Sequence, residues 1–220
     1  MTNFGPKGKA RVNGGIYTKC ATSEGQMVER CTWCGNDPLY CAYHDEEWGI
    51  PEWDGRALWE KLILDGFQAG LSWITILKKR DNFRAAFEGF DPERIARWGE
   101  PEVLRALSNP GIIRHRGKIE ATVKNARAYL DIQQKADFAT LLWDHVGGTP
   151  LQNRPASGAD IPVDSPHSIA MSKMLKKAGF SFVGPTIVYA FMQACGLVND
   201  HLVTCDSHDR VAALAHGPRP

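Results

Sequence analysis

The sequence predicts an all-α protein, and three observations carry that prediction. Apolar residues recur at three- and four-residue spacings, helix-start signals (Asp, Asp-Pro, Ser-Pro) precede those runs, and alternating apolar–polar stretches of useful length are absent. Asp54 caps a helix with Leu58, Leu62 and Ile63 on one face. Ser72 to about Phe87 reads as a second helical region, with Trp73, Leu77 and Phe87 pointing inward. Asp91-Pro92 supplies a cap followed by proline at the first helical position. Pro101 opens a short helix carrying Val103, Leu104 and Leu107, broken by Asn109-Pro110-Gly111. Ile119, Val123, Ala126 and Leu130 mark a long amphipathic helix, and Phe138, Leu141 and Leu142 another. Residues 151–162, rich in Pro, Gly, Asn and Ser, read as a loop connecting two lobes. Ser165-Pro166 starts a helix that Gly179 ends, and Pro185 starts the next, which Gly196 ends.

The length of 220 residues suffices for one sizeable core, or two small lobes around a cleft. A hydrophobic share of 43% with 23% charged residues excludes a disordered chain. No apolar run is long enough for a membrane span, and the N-terminus lacks the apolar segment of a secretory signal. A cytoplasmic location is therefore expected, and the 6 Cys read as core thiols or metal ligands rather than disulfides. A net charge of +1 argues against a purely electrostatic nucleic-acid binder but permits a local basic face. Residues 1–27 read as a flexible extension, 28–206 as the helical domain and 207–220 as a flexible tail.

The stretch from Leu175 to Thr186 has the logic of a helix-hairpin-helix. Gly179 can stop the first helix, Phe180 and Val183 can anchor the turn, and Gly184 permits close approach of a partner. Pro185 starts the second helix with its first N–H groups free for a phosphate, and Lys173, Lys176 and Lys177 add counter-charge. A plain αα-hairpin is the competing reading. The cluster Arg114-His115-Arg116-Gly117-Lys118 reads as a solvated face or a phosphate clamp, and Lys78-Lys79-Arg80 as a solvated helix end.

Two pairs of soft donors stand at opposite ends of the chain: Cys31 with His44, and His201-x3-Cys205. Two Cys and two His suit tetrahedral zinc, which would tie the chain ends together. The second pair shares a face if that stretch is helical. Cys34 could replace His44, and His208 could replace His201. The Cys31-x-x-Cys34 spacing lacks the βαβ surroundings of a redox motif.

Longer strings are similar to the DNA-3-methyladenine glycosylase I family. They run from Glu29-Arg-Cys31-Thr-Trp33 through Tyr40, Tyr43, His44 and Trp48-Gly49, then Gln68-Ala-Gly70-Leu71-Ser72-Trp73, Gly111 to Lys118, and Phe191 to His201. The likeness spans Val28 to about Cys205. It implies a two-lobed helix-hairpin-helix glycosylase fold with a structural zinc on Cys31, His44, His201 and Cys205, joining the N- and C-terminal segments. It also implies a bacterial cytosolic or nucleoid protein, expected to be a monomer, whose partner is double-stranded DNA carrying alkylated bases. The implied activity is monofunctional hydrolysis of the N-glycosidic bond of 3-methyladenine and related purines in base-excision repair.

The positions matching the family's pocket for a flipped-out base are Trp33, Tyr40, Tyr43 and Trp73, with Asp65 as the catalytic carboxylate. Gly70 and Leu71 match the turn that presses into the DNA stack, and Gly179 to Gly184 the hairpin that holds the backbone, with Lys176 beside it as a DNA contact. A base must leave the duplex before an enzyme can reach it. Aromatic faces attract a methylated, cationic purine by about 0.5–2 kcal/mol each, and a carboxylate adds charge complementarity. Asp65 departs from the family, where glutamate is usual: it reaches about 1.5 Å less, one carbon–carbon bond. That departure raises a shifted choice of modified purine, or a non-catalytic damage-binding role, as alternatives. Trp48, Trp53, Trp59, Trp98 and Trp143 read as core residues, and Asp200 as a capping or supporting residue.

Overall fold

The computed structural model describes residues 18–21 and 27–215. Its described residues are mainly helical, as the periodicity predicts. Eleven helices follow one another: α1 (Pro38–Glu46), α2 (Gly55–Gln68), α3 (Trp73–Leu77), α4 (Arg80–Ala86), α5 (Pro92–Ile95), α6 (Glu100–Ser108), α7 (Arg116–Gln133), α8 (Phe138–Trp143), α9 (Pro166–Lys177), α10 (Pro185–Ala194) and α11 (Ser207–Leu214). Among the described residues there are also two small sheets. Strands β1 (Thr18–Ala21) and β2 (Met27–Arg30) pair antiparallel, and β3 (Leu151–Gln152) pairs parallel with β4 (Val198–Asn199).

Short polar side chains set the helix starts. Asp37, Asp54, Asp91, Asp137 and Ser165 each accept a hydrogen bond from a backbone N–H in the first turn of the following helix. His115 does the same for α7 through Nδ1. Helix α2 lies at the centre, against α3, α7, α8 and α10. Its Leu58, Trp59, Leu62, Leu64 and Phe67 are essentially inaccessible, each worth about 1.5–3 kcal/mol of burial.

The structure differs from the sequence expectations in several places. The helical region from Ser72 to Phe87 divides at Lys78-Lys79 into α3 and α4. On α6, Val103 is buried but Leu104 is exposed, because Ala106 faces inward in its place. Of the expected N-terminal extension, Thr18–Ala21 pairs with β2, and most of the rest lies outside the described residues. The expected tail begins with helix α11, because Val211 and His208 pack inward. The His208 ring also bonds the Asn153 carbonyl through Nε2, 3.1 Å. The ordered fold therefore reaches beyond residue 206.

Candidate functional site

The last two turns of α2 bring an acid to the aromatic cluster. Asp65 is 1% exposed and accepts a hydrogen bond from Lys61 Nζ, one turn earlier, at 2.6 Å to Oδ1. Its Oδ2 has no partner. Lys61 Nζ also lies 3.8 Å from the centre of the Trp73 ring, which α3 presents. Tyr43, from α1, meets Trp73 at 5.4 Å between ring centres. Tyr40 stacks at 6.4 Å from Tyr43, and Trp33, in the 3-10 turn after Cys31, lies 4.9 Å from Tyr40. Trp33, Tyr40, Tyr43, Asp65 and Trp73 thus belong to one cluster, linked ring to ring and through Lys61.

The indole Nε1 atoms of Trp33 and Trp73 are buried without a hydrogen-bond partner, like Asp65 Oδ2. An unmet buried polar atom costs about 1–3 kcal/mol. Three in one aromatic cluster mark a place where a ligand with complementary polar edges would be welcome. Burial raises the pKa of the Asp65 carboxyl, and Lys61 draws it back down by its charge and hydrogen bond. Burial likewise pushes the Tyr43 phenol well up, so it stays neutral.

Beside this cluster lies a cavity of 280 Å³, lined among others by Tyr43, Lys61, Leu64, Arg80 and Cys195. Asp65 and Trp73 are not in its lining; Lys61 bridges from the cavity to both. Lys61 is the residue that sequence reasoning missed. Its i, i+4 spacing to Asp65 was the available signal.

The side chains of Cys31, His44, His201 and Cys205 converge, with all four donor atoms within 4.8 Å of one another, and all are buried. Cys31 Sγ lies 3.5 Å from His201 Nδ1, and Cys205 Sγ lies 3.5 Å from His44 Nε2 and 3.6 Å from His201 Nδ1. The remaining ring nitrogens are engaged: His44 Nδ1 with Asp45 at 2.8 Å, and His201 Nε2 with the Trp48 carbonyl at 3.1 Å. Asp45 is in turn clasped by Arg30. A hydrogen bond from Cys31, with others from His201 and His44, holds the Cys205 thiol far below its ordinary pKa, and the same contact pushes Cys31 up. This set could hold a metal ion. Cys34 is not in it; its thiol donates to the Cys31 carbonyl at 3.1 Å, and burial pushes its pKa up to about 12. His208 is also outside it. The residues from His201 to Cys205 form a turn rather than the helical face considered from the spacing.

Gly70 and Leu71 form the turn between α2 and α3. Leu71 is 42% exposed, and a Cβ on Gly70 would meet no protein atom. Lys118 is buried and donates to the carbonyls of Phe67 (2.8 Å) and Ala69 (2.7 Å), so it caps α2 just before this turn. It therefore does not belong to the solvated cluster considered from the sequence, and Arg116 is tied to Glu100 and Glu120. Lys78 and Arg80 pair with Asp37 and Glu47, so that helix end too is engaged in ion pairs.

The turn from Gly179 to Gly184 joins α9 to α10. Gly179 adopts φ +104°, which a side chain would strain, and Phe180 and Val183 are buried as anchors. Asn125 of α7 holds the turn by bonding both the N–H and carbonyl of Ser181. Gly184 faces open space, and Lys176 lies in the last turn of α9. Asp200 accepts from Asn153, Tyr189 and Gln193, which makes it a structural hub remote in its bonding from Asp65.

Comparison with known proteins identifies the family. The family described as "Methyladenine glycosylase" matches residues 33–208. The "DNA-3-methyladenine glycosylase 1" of Escherichia coli (strain K12) is 54% identical over 179 residues, covering 81% of this chain and 96% of that protein. A crystal structure of a 3-methyladenine DNA glycosylase I superposes with a TM-score of 0.80 at 57% identity, covering 81% of this chain and 99% of its own. The Staphylococcus aureus 3-methyladenine DNA glycosylase I, solved to explain 3-methyladenine recognition, gives 0.79 at 38% identity, covering 81% and 96%.

Proposed function

The chain belongs to the methyladenine glycosylase family, and from that premise we propose that it is a monofunctional DNA glycosylase that releases 3-methyladenine and related alkylated purines in base-excision repair. One observation carries the reading. A buried carboxylate with an unpartnered oxygen belongs to an aromatic cluster in which two indole N–H groups, of Trp33 and Trp73, also lack partners. That is the chemistry a flipped, positively charged purine requires.

Asp65 Oδ2 accepts a hydrogen bond from the base's amino group or ring N–H, and the Tyr43 and Trp73 rings grip its π-face. Methylation makes the base a good leaving group, because it departs neutral from a cationic nucleoside; strong acid catalysis is not needed. The bond from C1′ to the base nitrogen breaks, its electrons go to the base, and water adds to the oxocarbenium-like sugar. Leu71 fills the gap in the stack. Gly184 and the free N–H groups at the start of α10, with Lys176, bind phosphate on one side of the lesion. Gly179 shapes that turn.

Zinc is the metal that Cys31, His44, His201 and Cys205 fit. Zinc–sulfur bonds of about 2.3 Å and zinc–nitrogen bonds of about 2.0–2.1 Å at tetrahedral angles need S···N separations of about 3.5 Å. Three of the S···N separations, at 3.5, 3.5 and 3.6 Å, lie close to that value, within a donor set whose members are at most 4.8 Å apart. With four protein donors such an ion is structural, joining Cys31 and His44 of α1 to the turn before α11. The two-lobed catalytic unit runs from Val28 through α11 and acts as a cytosolic monomer on double-stranded DNA.

The test is chromatography of the products from a duplex carrying one 3-methyladenine. The expected products are the free base and an abasic but unbroken strand. Retention of the base, or a nick before alkali is added, contradicts the reading. The shorter reach of Asp65 supports a second reading, a shifted preference among modified purines; competition between modified bases in one reaction tests it.

A further inference from the structure

Lys61 has no role in the mechanism above, yet its ammonium stands on both partners assigned to the cationic purine. It lies 3.8 Å from the Trp73 ring centre and 2.6 Å from Asp65 Oδ1. An ammonium on an aromatic face and against a carboxylate uses the same attractions that would hold a methylated purine. The other titratable groups facing Asp65 are the Tyr43 phenol from α1 and the Cys195 thiol just after α10. Burial pushes the pKa of both up, so both are neutral. Lys61 is thus the cation against Asp65, and with it the acid–aromatic site is electrically balanced before any base arrives.

We infer that Lys61 is a specificity-determining residue of the base site: its resident positive charge competes with that of an alkylated purine for the Trp73 face and the Asp65 carboxylate, and narrows the site's preference for cationic over neutral bases. Two features set this pair apart from an ordinary i, i+4 surface bridge. The Lys61 side chain is only 15% exposed and the Asp65 side chain 2%, so solvent screens the pair weakly. Moreover, Lys61 also lines a cavity walled by Glu46, Glu52 and Glu60, yet its ammonium bonds Asp65. Asp65 Oδ2 has no partner and remains as an acceptor, so the competition reduces the preference without abolishing it.

The inference rests on the proposed base site, and a binding experiment separates the two. Tryptophan fluorescence titrations would compare cationic 3,9-dimethyladeninium with neutral 9-methyladenine, using intact wild-type, Lys61→Met, Lys61→Gln and Lys61→Arg proteins. At about pH 9 the Met and Gln variants are expected to favour the cation over the neutral ligand at least about fivefold more than wild type does. The Arg variant, which keeps a charge, is expected to hold the wild-type ratio. Loss of Lys61 removes the group that draws the Asp65 pKa down, so the gain is smaller in a second titration at lower pH, where more of the carboxyl is protonated. A merely structural role would move both ligands together at both pH values. An unchanged or reduced ratio at about pH 9 in a folded Met or Gln variant overturns the inference, as does the absence of any preference for the cation in all four proteins. Failure of the wild type to release base from DNA would overturn the functional reading instead.

Discussion

Gly49 and His201 meet so closely that a Cβ on the glycine would stand 2.9 Å from His201 Nε2. The contact fixes the imidazole that carries one of the four clustered donors, with the neighbouring Trp48 carbonyl bonded to the same nitrogen. Gly49 also has φ +84°. Gly49→Ala is therefore expected to cost about 1–3 kcal/mol in urea unfolding and to weaken metal retention. A stability unchanged within experimental error would show that the ring can move aside freely.

Metal removal should act on the whole fold, because the donors lie about 160 positions apart in sequence and close a long loop. Elemental analysis should find one zinc per chain. Chelation, or Cys205→Ser, is expected to lower stability by about 3 kcal/mol, which for a chain of this size is a fall in Tm of about 6–12 °C. A metal-free protein with the same Tm would exclude the structural role.

Leu71 is an exposed apolar residue on a turn that Lys118 stiffens from behind. Leu71→Ala should slow base release from a duplex by roughly 10-fold or more, since burying a leucine in the DNA stack is worth about 1.5–3 kcal/mol. Thermal stability should hardly change, and release from single-stranded DNA should suffer less. Equal losses on both substrates would remove Leu71 from the part of wedge.

The pH dependence follows from the raised pKa of Asp65. Its ionised form is lost as pH falls through that raised value, so the acid limb of kcat/KM should lie above the ordinary aspartate range near about 3.9. Lys61→Met should move the limb higher still. A limb at or below the ordinary range would mean that Asp65 does not act as the ionised acceptor.

Much of this site was legible in the sequence, for physical reasons. Donor chemistry alone selected Cys31, His44, His201 and Cys205, but it left Cys34 and His208 open. Only the convergence of specific donor atoms excludes those two. Spacing showed that His201 and Cys205 could share a helical face, whereas a turn brings them together, because local periodicity carries no information about a segment pinned from outside. Lys118 read as part of a basic cluster. Its burial depends on the carbonyls of Phe67 and Ala69 approaching from a distant turn. Lys61 was hidden for a similar reason: a Lys four residues before an Asp reads as a solvated pair until the helix face is seen against Trp73. Helix α11 escaped notice because few of its apolar residues are buried, Val211 among them.

The most direct test of the account is the single-turnover rate of free-base release from a 3-methyladenine duplex by wild type and Asp65→Asn, at saturating enzyme. Asparagine keeps the size of the side chain and removes its charge. The account predicts a loss of roughly 100-fold or more in the chemical step with duplex binding retained. A variant that releases the base at nearly the wild-type rate would contradict it.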